Sequence, residues 1–165
     1  FYMPHPNFTN AKKKAEELIS SCGITEPVVP IFEIAESNGC TVRFFKPTGE
    51  LLSVAGFTDP KTKTIYVNEA DVAYRQSFTV AHELGHLVLG HKPNEYGVLL
   101  RNTHIETTPI EKEANAFASY LLMPDALLKQ IMDKYKLDKG QVELLAGIFG
   151  VSSQAMKFRL QRMGR

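Results

Sequence analysis

The chain has only two cysteines in 165 residues, Cys22 and Cys40, too few for the disulfide framework that holds small secreted domains together. Without a secretory signal, two cysteines read as free thiols in a reducing compartment, and no role is assigned to them. The chain also lacks any apolar run approaching the roughly 18 residues of a membrane-spanning helix, and its first fifteen residues lack the apolar stretch of a signal peptide. A cytoplasmic location is expected. Phe1-Tyr2 ahead of Met3 does not read as a native start and is set aside. There are no internal repeats and no low-complexity tracts, which leaves one domain of ordinary size, or a compact domain with a small appendage. Net charge is nearly absent at +1, but it is unevenly spread. Residues 126–165 carry eight Lys or Arg against three Asp or Glu, so a basic tail follows an acidic body.

What is present is concentrated in Phe78–Gly90, where His82-Glu83-Leu84-Gly85-His86 lies inside a helical apolar pattern. At 3.6 residues per turn the two histidines fall one turn apart on one face, so both imidazoles can reach a single cation. Val80, Leu84, Leu87 and Val88 supply an apolar face that fixes the helix in a core. Glu83 stands about 100° round from His82, beside the metal rather than between its ligands. That is the place of a general base acting on water. By composition alone the five-residue pattern should turn up in on the order of one in two hundred chains of this length, and its placement in a helix stopped by Gly90 favours a metal site over satisfied core histidines. Gly85 costs about 1 kcal/mol relative to alanine inside a helix, which is compensated if another backbone packs closely there.

Elsewhere the pattern predicts an α+β fold. A first helix spans Thr9 to Ser21, capped by Thr9 or Asn10, and a second spans Ile31 to Ser37. Three strands follow, Thr41 to Phe45, Leu51 to Thr58 and Lys63 to Val67, separated by Pro47-Thr48-Gly49 and Asp59-Pro60. They are expected to form a small antiparallel three-stranded meander. Asp71 is the expected cap of the metal helix. Residues 90–109 show no periodicity, and further helices are predicted over Ile110–Pro124, Asp125–Tyr135, Gln141–Phe149 and Ser152–Met163. The expected division is 1–125 for the domain that carries the chemistry and 126–165 for a C-terminal helical segment.

A catalytic zinc normally has three protein ligands and an open position, so two histidines are not enough. His91, His104, Glu111 and Glu113 are the candidates for the third. On the helical wheel Glu111 shares an edge with Ala114 and Ala118, small residues that let two helices approach, while Glu113 points away from that stripe. This favours Glu111 and leaves Glu113 as the alternative; either can also be a solvated residue favoured by the helix dipole. Asn115, one turn after Glu111, is placed to hydrogen-bond a ligand. The residue that would stabilise an oxyanion is not selected by spacing among His91, Tyr96, His104 and Tyr120.

His82-Glu83-Leu84-Gly85-His86, together with Glu111-x-x-Ala114-x-x-Phe117-Ala118-x-x-Leu121-Leu122-Met123-Pro124, resembles the ImmA/IrrE metallo-endopeptidases, and the likeness covers about Thr41 to Pro124. The resemblance implies a zincin-like helical core and an intracellular zinc peptidase of the gluzincin type. It implies one zinc per chain, held by His82, His86 and one acidic residue of the second motif, with Glu83 as catalyst. Members often cleave helix-turn-helix repressors, so a protein substrate of that kind is expected.

The tail supports a competing expectation. Leu144 to Leu160 reads as helix, glycine turn and capped helix, like a helix-turn-helix, with Ser152 as cap and Lys157, Arg159 and Arg162 as basic residues for nucleic acid. A DNA-binding or stress-sensing regulator with a structural or sensory metal site is therefore the alternative. Against it, the basic residues are few beside the roughly six to ten phosphate contacts of a committed binder, and two short amphipathic helices often only cover a core.

Overall fold

The computed structural model describes residues 5–92, the backbone of 99–100, and 108–164. The chain begins with helix α1 (Phe8–Ser21), capped by the Asn7 side chain, which accepts from the Asn10 backbone N–H at 3.0 Å. The cap thus lies ahead of the Thr9 or Asn10 expected from sequence. Helix α2 (Ile31–Ser37) has the predicted ends. Strand β1 (Thr41–Phe45) is followed by a short 3₁₀ helix over Gly49–Ser53, strand β2 (Val54–Asp59) and strand β3 (Thr64–Asn68). The metal-motif helix α3 (Ala73–Val88) comes next, then strand β4 (Leu99–Leu100) and helices α4 (Pro109–Leu122), α5 (Asp125–Tyr135), α6 (Val142–Phe149) and α7 (Ser153–Arg162).

The α+β class stands, but the sheet is not an antiparallel three-stranded meander. It is mixed and four-stranded, in the order β1-β3-β2-β4. β2 and β3 form the expected antiparallel hairpin, with Phe57 opposite Tyr66, whereas β1 pairs parallel to β3, Thr41 to Thr64 through Phe45 to Asn68. The reason lies in the connections. Only the short Asp59–Thr64 link can close a tight hairpin; the longer stretch between β1 and β2 folds Leu51, Leu52 and Ser53 into the 3₁₀ turn and carries the chain past the position reserved for β3. β3 is accordingly the most buried strand, with Ile65 and Val67 at 0 % exposure, and β1 stays near the surface.

Two close approaches fix α3. On its sheet side, a Cβ added at Gly56 of β2 would lie 2.3 Å from Thr79 Cγ2, so the Thr79 side chain packs directly on the strand backbone where glycine leaves room for it. On the other side, a Cβ added at Gly85 would lie 2.9 Å from the Phe117 ring and 3.4 Å from the Ala114 Cα, which confirms the close neighbour anticipated at that glycine and identifies it as α4. Every residue from Thr79 to His86 is buried as a result. The helix starts without a side-chain cap at Val72; Asp71, the expected cap, lies one residue earlier and pairs with Arg75 at 4.0 Å.

One apolar cluster runs through the molecule. It joins Ala11 and Ala15 of α1 and Ile34 of α2 to Ile65, Val80, Leu84 and Phe117, and continues into Leu128 of α5, Leu145 of α6 and Met156 and Leu160 of α7. Ser152 caps α7 as expected, accepting from Ala155 N–H at 3.1 Å, and Gly150 makes the left-handed turn between α6 and α7. Cys22 and Cys40 are free. Among the described residues no helix is long and apolar enough to cross a membrane.

Candidate metal centre

The close contact of β2 with α3 sets the site in register. Two residues along a strand advance about 6.6 Å and four along a helix about 6 Å. Having met at Gly56 and Thr79, the two elements therefore meet again at Thr58 and Glu83. The Thr58 hydroxyl donates to Glu83 Oε2 at 2.6 Å, and the other carboxylate oxygen, Oε1, is buried without a hydrogen-bond partner. Burial raises the Glu83 pKa above the ordinary carboxylate range, with the Glu111 charge adding to it, against the opposing influence of His82 and Thr58.

Across the other seam, α4 brings Glu111 to both histidines. Its Oε2 lies 3.1 Å from His82 Nε2 and its Oε1 3.4 Å from His86 Nε2, and the two Nε2 atoms are 3.1 Å apart. Both imidazoles are 1 % exposed, while Glu111 keeps 24 % of its side-chain surface. Among the described residues this is the group able to hold a metal ion. The spacing fits one: ligand bonds of about 2.0–2.2 Å in a tetrahedral site place ligand atoms roughly 3.3 Å apart. The chemistry of the donors fits as well. Each Nδ1 is occupied on the outer side, His82 by the Asn115 side-chain oxygen at 2.8 Å and His86 by His91 Nδ1 at 2.8 Å, which leaves both Nε2 atoms directed at the carboxylate.

The local electrostatics favour a cation. Although burial opposes ionisation of Glu111, hydrogen bonds from His82 and His86 hold its pKa far below the usual carboxylate range. Burial drives the His86 pKa down to about 4 against the pull of Glu111, with the neighbouring His82 and His91 assisting, so its ring is neutral with a lone pair to offer. At His82 burial also acts downward, but Glu111, Glu83 and Asn115 outweigh it and the net shift is upward.

His82, Glu83, His86, Glu111 and Asn115 thus come together as the sequence led one to expect. Glu113 does point away from them, but not to solvent: it accepts from His91 Nε2 at 2.9 Å and from the Asn7 backbone N–H at 2.7 Å. His91 lies behind His86, on its Nδ1 side, and not among the converging Nε2 atoms. Tyr120, on α4, is engaged by α1 and α7, its ring covered by the guanidinium of Arg159 at 4.5 Å and by Lys12 at 5.5 Å. Tyr96 and His104 lie outside the described residues. Thr58 was missed from sequence; the signal was its spacing of two from Gly56, which puts both on one face of the strand.

Of the basic residues assigned to nucleic acid, Lys157 and Arg162 are exposed, and Arg162 lies over the Phe8 ring at 6.0 Å. Arg159 must be withdrawn as a contact. It is 2 % exposed, donates from Nε to the Met123 carbonyl at 3.1 Å and from Nη2 to Asp125, and stacks on Tyr120. A guanidinium placed so far from solvent has its donors committed inside the protein.

A helix-borne His-Glu-x-x-His that converges with a glutamate from a second helix, beside a small mixed sheet, makes an α+β domain able to hold a metal ion in the arrangement of a metallopeptidase. Residues 35–161 match the family model described as the IrrE N-terminal-like domain, and the chain belongs to that peptidase family. It is 29 % identical over 100 residues to metallopeptidase ImmA of Bacillus subtilis strain 168, a match that covers 61 % of this chain and 56 % of that protein. A solved structure of a Mycobacterium tuberculosis transcriptional regulator shares the fold, with a TM-score of 0.71 at 16 % identity, over 95 % of this chain and 48 % of that one. The chain thus spans about half the length of each of these relatives.

Proposed function

We propose that the chain is a zinc-dependent endopeptidase that cleaves a peptide bond of a protein substrate inside the cell, with His82, His86 and Glu111 as the ligands and Glu83 as the general base. The observation that carries this reading is the state of Glu83. A purely structural zinc site is closed by four protein ligands and has no use for a fifth, buried carboxylate. Here Oε2 is fixed by Thr58 while Oε1 is left without a partner at the cost of burial, and the carboxyl group feels the charge of His82 and Glu111, two members of the three-ligand cluster. The bound ion would supply Lewis acidity to the scissile carbonyl and acidify the attacking water. Glu83 Oε1 takes that water's proton, and its raised pKa keeps the proton available for the leaving amine. Thr58 prevents the carboxylate from rotating between the two transfers. Asn115 keeps His82 Nε2 directed inward by holding Nδ1.

All of these residues lie within 1–125, to which we assign the chemistry; 126–165 form the tail. A helix-turn-helix repressor is the proposed substrate class, in keeping with the family. The regulator reading is weakened by the burial of Arg159, which removes a cation from the proposed binding face. The test is metal content and peptide cleavage in parallel. Wild type should bind one zinc per chain and cleave, whereas Glu83→Gln should keep the zinc and lose hydrolysis. Loss of zinc from Glu83→Gln, or undiminished cleavage by it, overturns the assignment of roles.

A further inference from the structure

The two histidines are held from behind by different devices. His82 Nδ1 meets one neutral amide, Asn115, 2.8 Å away. His86 Nδ1 meets the first member of a chain: His91 Nδ1 at 2.8 Å, then from His91 Nε2 to Glu113 Oε2 at 2.9 Å, and at Glu113 Oε1 the Asn7 backbone N–H at 2.7 Å. We propose that His91 and Glu113 are positioning residues for His86, a hydrogen-bonded relay anchored on the start of α1 that fixes which nitrogen of His86 faces the ion. The proposal deepens the metal-site reading above and rests on it for the role of His86.

The orientation of His86 follows from these bonds. Its Nδ1 is held by His91 on the outer side, so His86 Nε2 is the nitrogen that faces inward, 3.4 Å from Glu111 Oε1. Both Glu113 oxygens are engaged, one by a main-chain N–H, so the carboxylate cannot turn without losing a bond. The Gly90 turn is what brings His91 back. With φ of 71° it lets the His91 N–H close on the His86 carbonyl at 3.0 Å, which folds the ring over the end of α3. Side-chain exposures of 6 % for His91 and 15 % for Glu113 keep water from competing for these bonds.

The relay is tested on the full chain in two ways. In metal-free wild type, nitrogen-15 NMR of the imidazoles should show a hydrogen-bond coupling between His86 Nδ1 and His91 Nδ1, whichever ring carries the hydrogen; resolved rings without that coupling refute the proposal. Zinc affinity is then measured by chelator competition for wild type, His91→Ala and Glu113→Gln. Glu113→Gln preserves shape but puts an amide donor where two N–H groups now point. Loss of about 10 to 100-fold in affinity, the usual effect of removing a ligand's hydrogen-bond partner, is expected in both variants, together with loss of a single His86 ring orientation. Folded variants that bind zinc like wild type overturn the relay. If His91→Ala fails to fold, Glu113→Gln and the wild-type coupling still decide. Wild type that takes up no zinc sinks the metal reading instead, and the coupling between the two Nδ1 atoms alone then decides the relay.

Discussion

Gly85→Ala is the sharpest probe of how the site is assembled, because two opposing effects act at one atom. Alanine in a helix interior is favoured over glycine by about 1 kcal/mol. Its Cβ, however, would stand 2.9 Å and 3.3 Å from Cδ1 and Cγ of Phe117, whose ring is 0 % exposed and has nowhere to swing, and 3.4 Å from the Ala114 Cα. Inserting a methyl group into packed interior costs about 1–3 kcal/mol, so the net change is a loss of roughly 0–2 kcal/mol. For a domain of this size that lowers the melting temperature by up to about 8 °C. The shift that relieves the contact moves α4 off α3, and Glu111 rides on α4 one turn from Ala114, so zinc affinity should fall as well. Gly147→Ala is the control: it is also a glycine inside a helix, α6, but its Cβ would meet nothing within 4 Å. It should raise stability by about 0.5–1 kcal/mol. Thermal melts of the metal-free proteins and chelator competition check both effects. If Gly85→Ala is stabilised as much as Gly147→Ala and holds zinc as tightly as wild type, the seam is not as close as the structure has it.

Asp125 joins the body to the tail through Lys12 at 2.7 Å and through Arg159. Burial works against its ionisation, but the hydrogen bonds from Lys12 and Arg159 prevail and lower its pKa. A carboxyl whose folded pKa is depressed contributes stability above its unfolded value of about 3.9, and that stability is lost as pH falls through the lower, folded value. Asp125→Asn should therefore destabilise at neutral pH by up to about 3–5 kcal/mol, the cost of breaking a buried pair, moderated because Asp125 keeps 25 % of its side chain exposed. The difference from wild type should narrow as denaturation is followed into acid below about pH 3.9; a difference that grows there would be wrong in sign. Replacing Lys157 and Arg162 together by Gln should alter stability by no more than about 0.5 kcal/mol and leave zinc content and peptide cleavage unchanged. A loss of cleavage with the fold intact would place the outer face of α7 in the catalytic apparatus.

The metal helix and its partner were legible because their information is local. His82 and His86 one turn apart, the small residues at 114 and 118, and Glu111 and Asn115 on their edge all follow from a 3.6-residue period. The same wheel turned Glu113 away from the seam correctly but could not say what waited there, since Asn7 is 106 residues away in sequence. The sheet order was hidden for a similar reason. Strand propensity marks β1, β2 and β3 individually, but pairing depends on which connection is short enough to turn, and the Leu51–Ser53 stretch that looked like strand is spent on a 3₁₀ turn. Arg159 misled because an arginine beside other basic residues on a short helix reads as solvated surface, and only the fold brings Asp125, Met123 and Tyr120 around it.

That buried arginine also bears on how the molecule opens. For α7 to lift away, Met156 and Leu160 must leave the common core, and the guanidinium must give up the Met123 carbonyl at the end of α4. Such a rupture breaks bonds on the helix that carries Glu111, so it is not a local fraying. Amide hydrogens in the middle of α7 should then exchange with deuterium by the same slow, whole-domain route as those of α4, and the tail and the metal helix pair should share a single rate of opening.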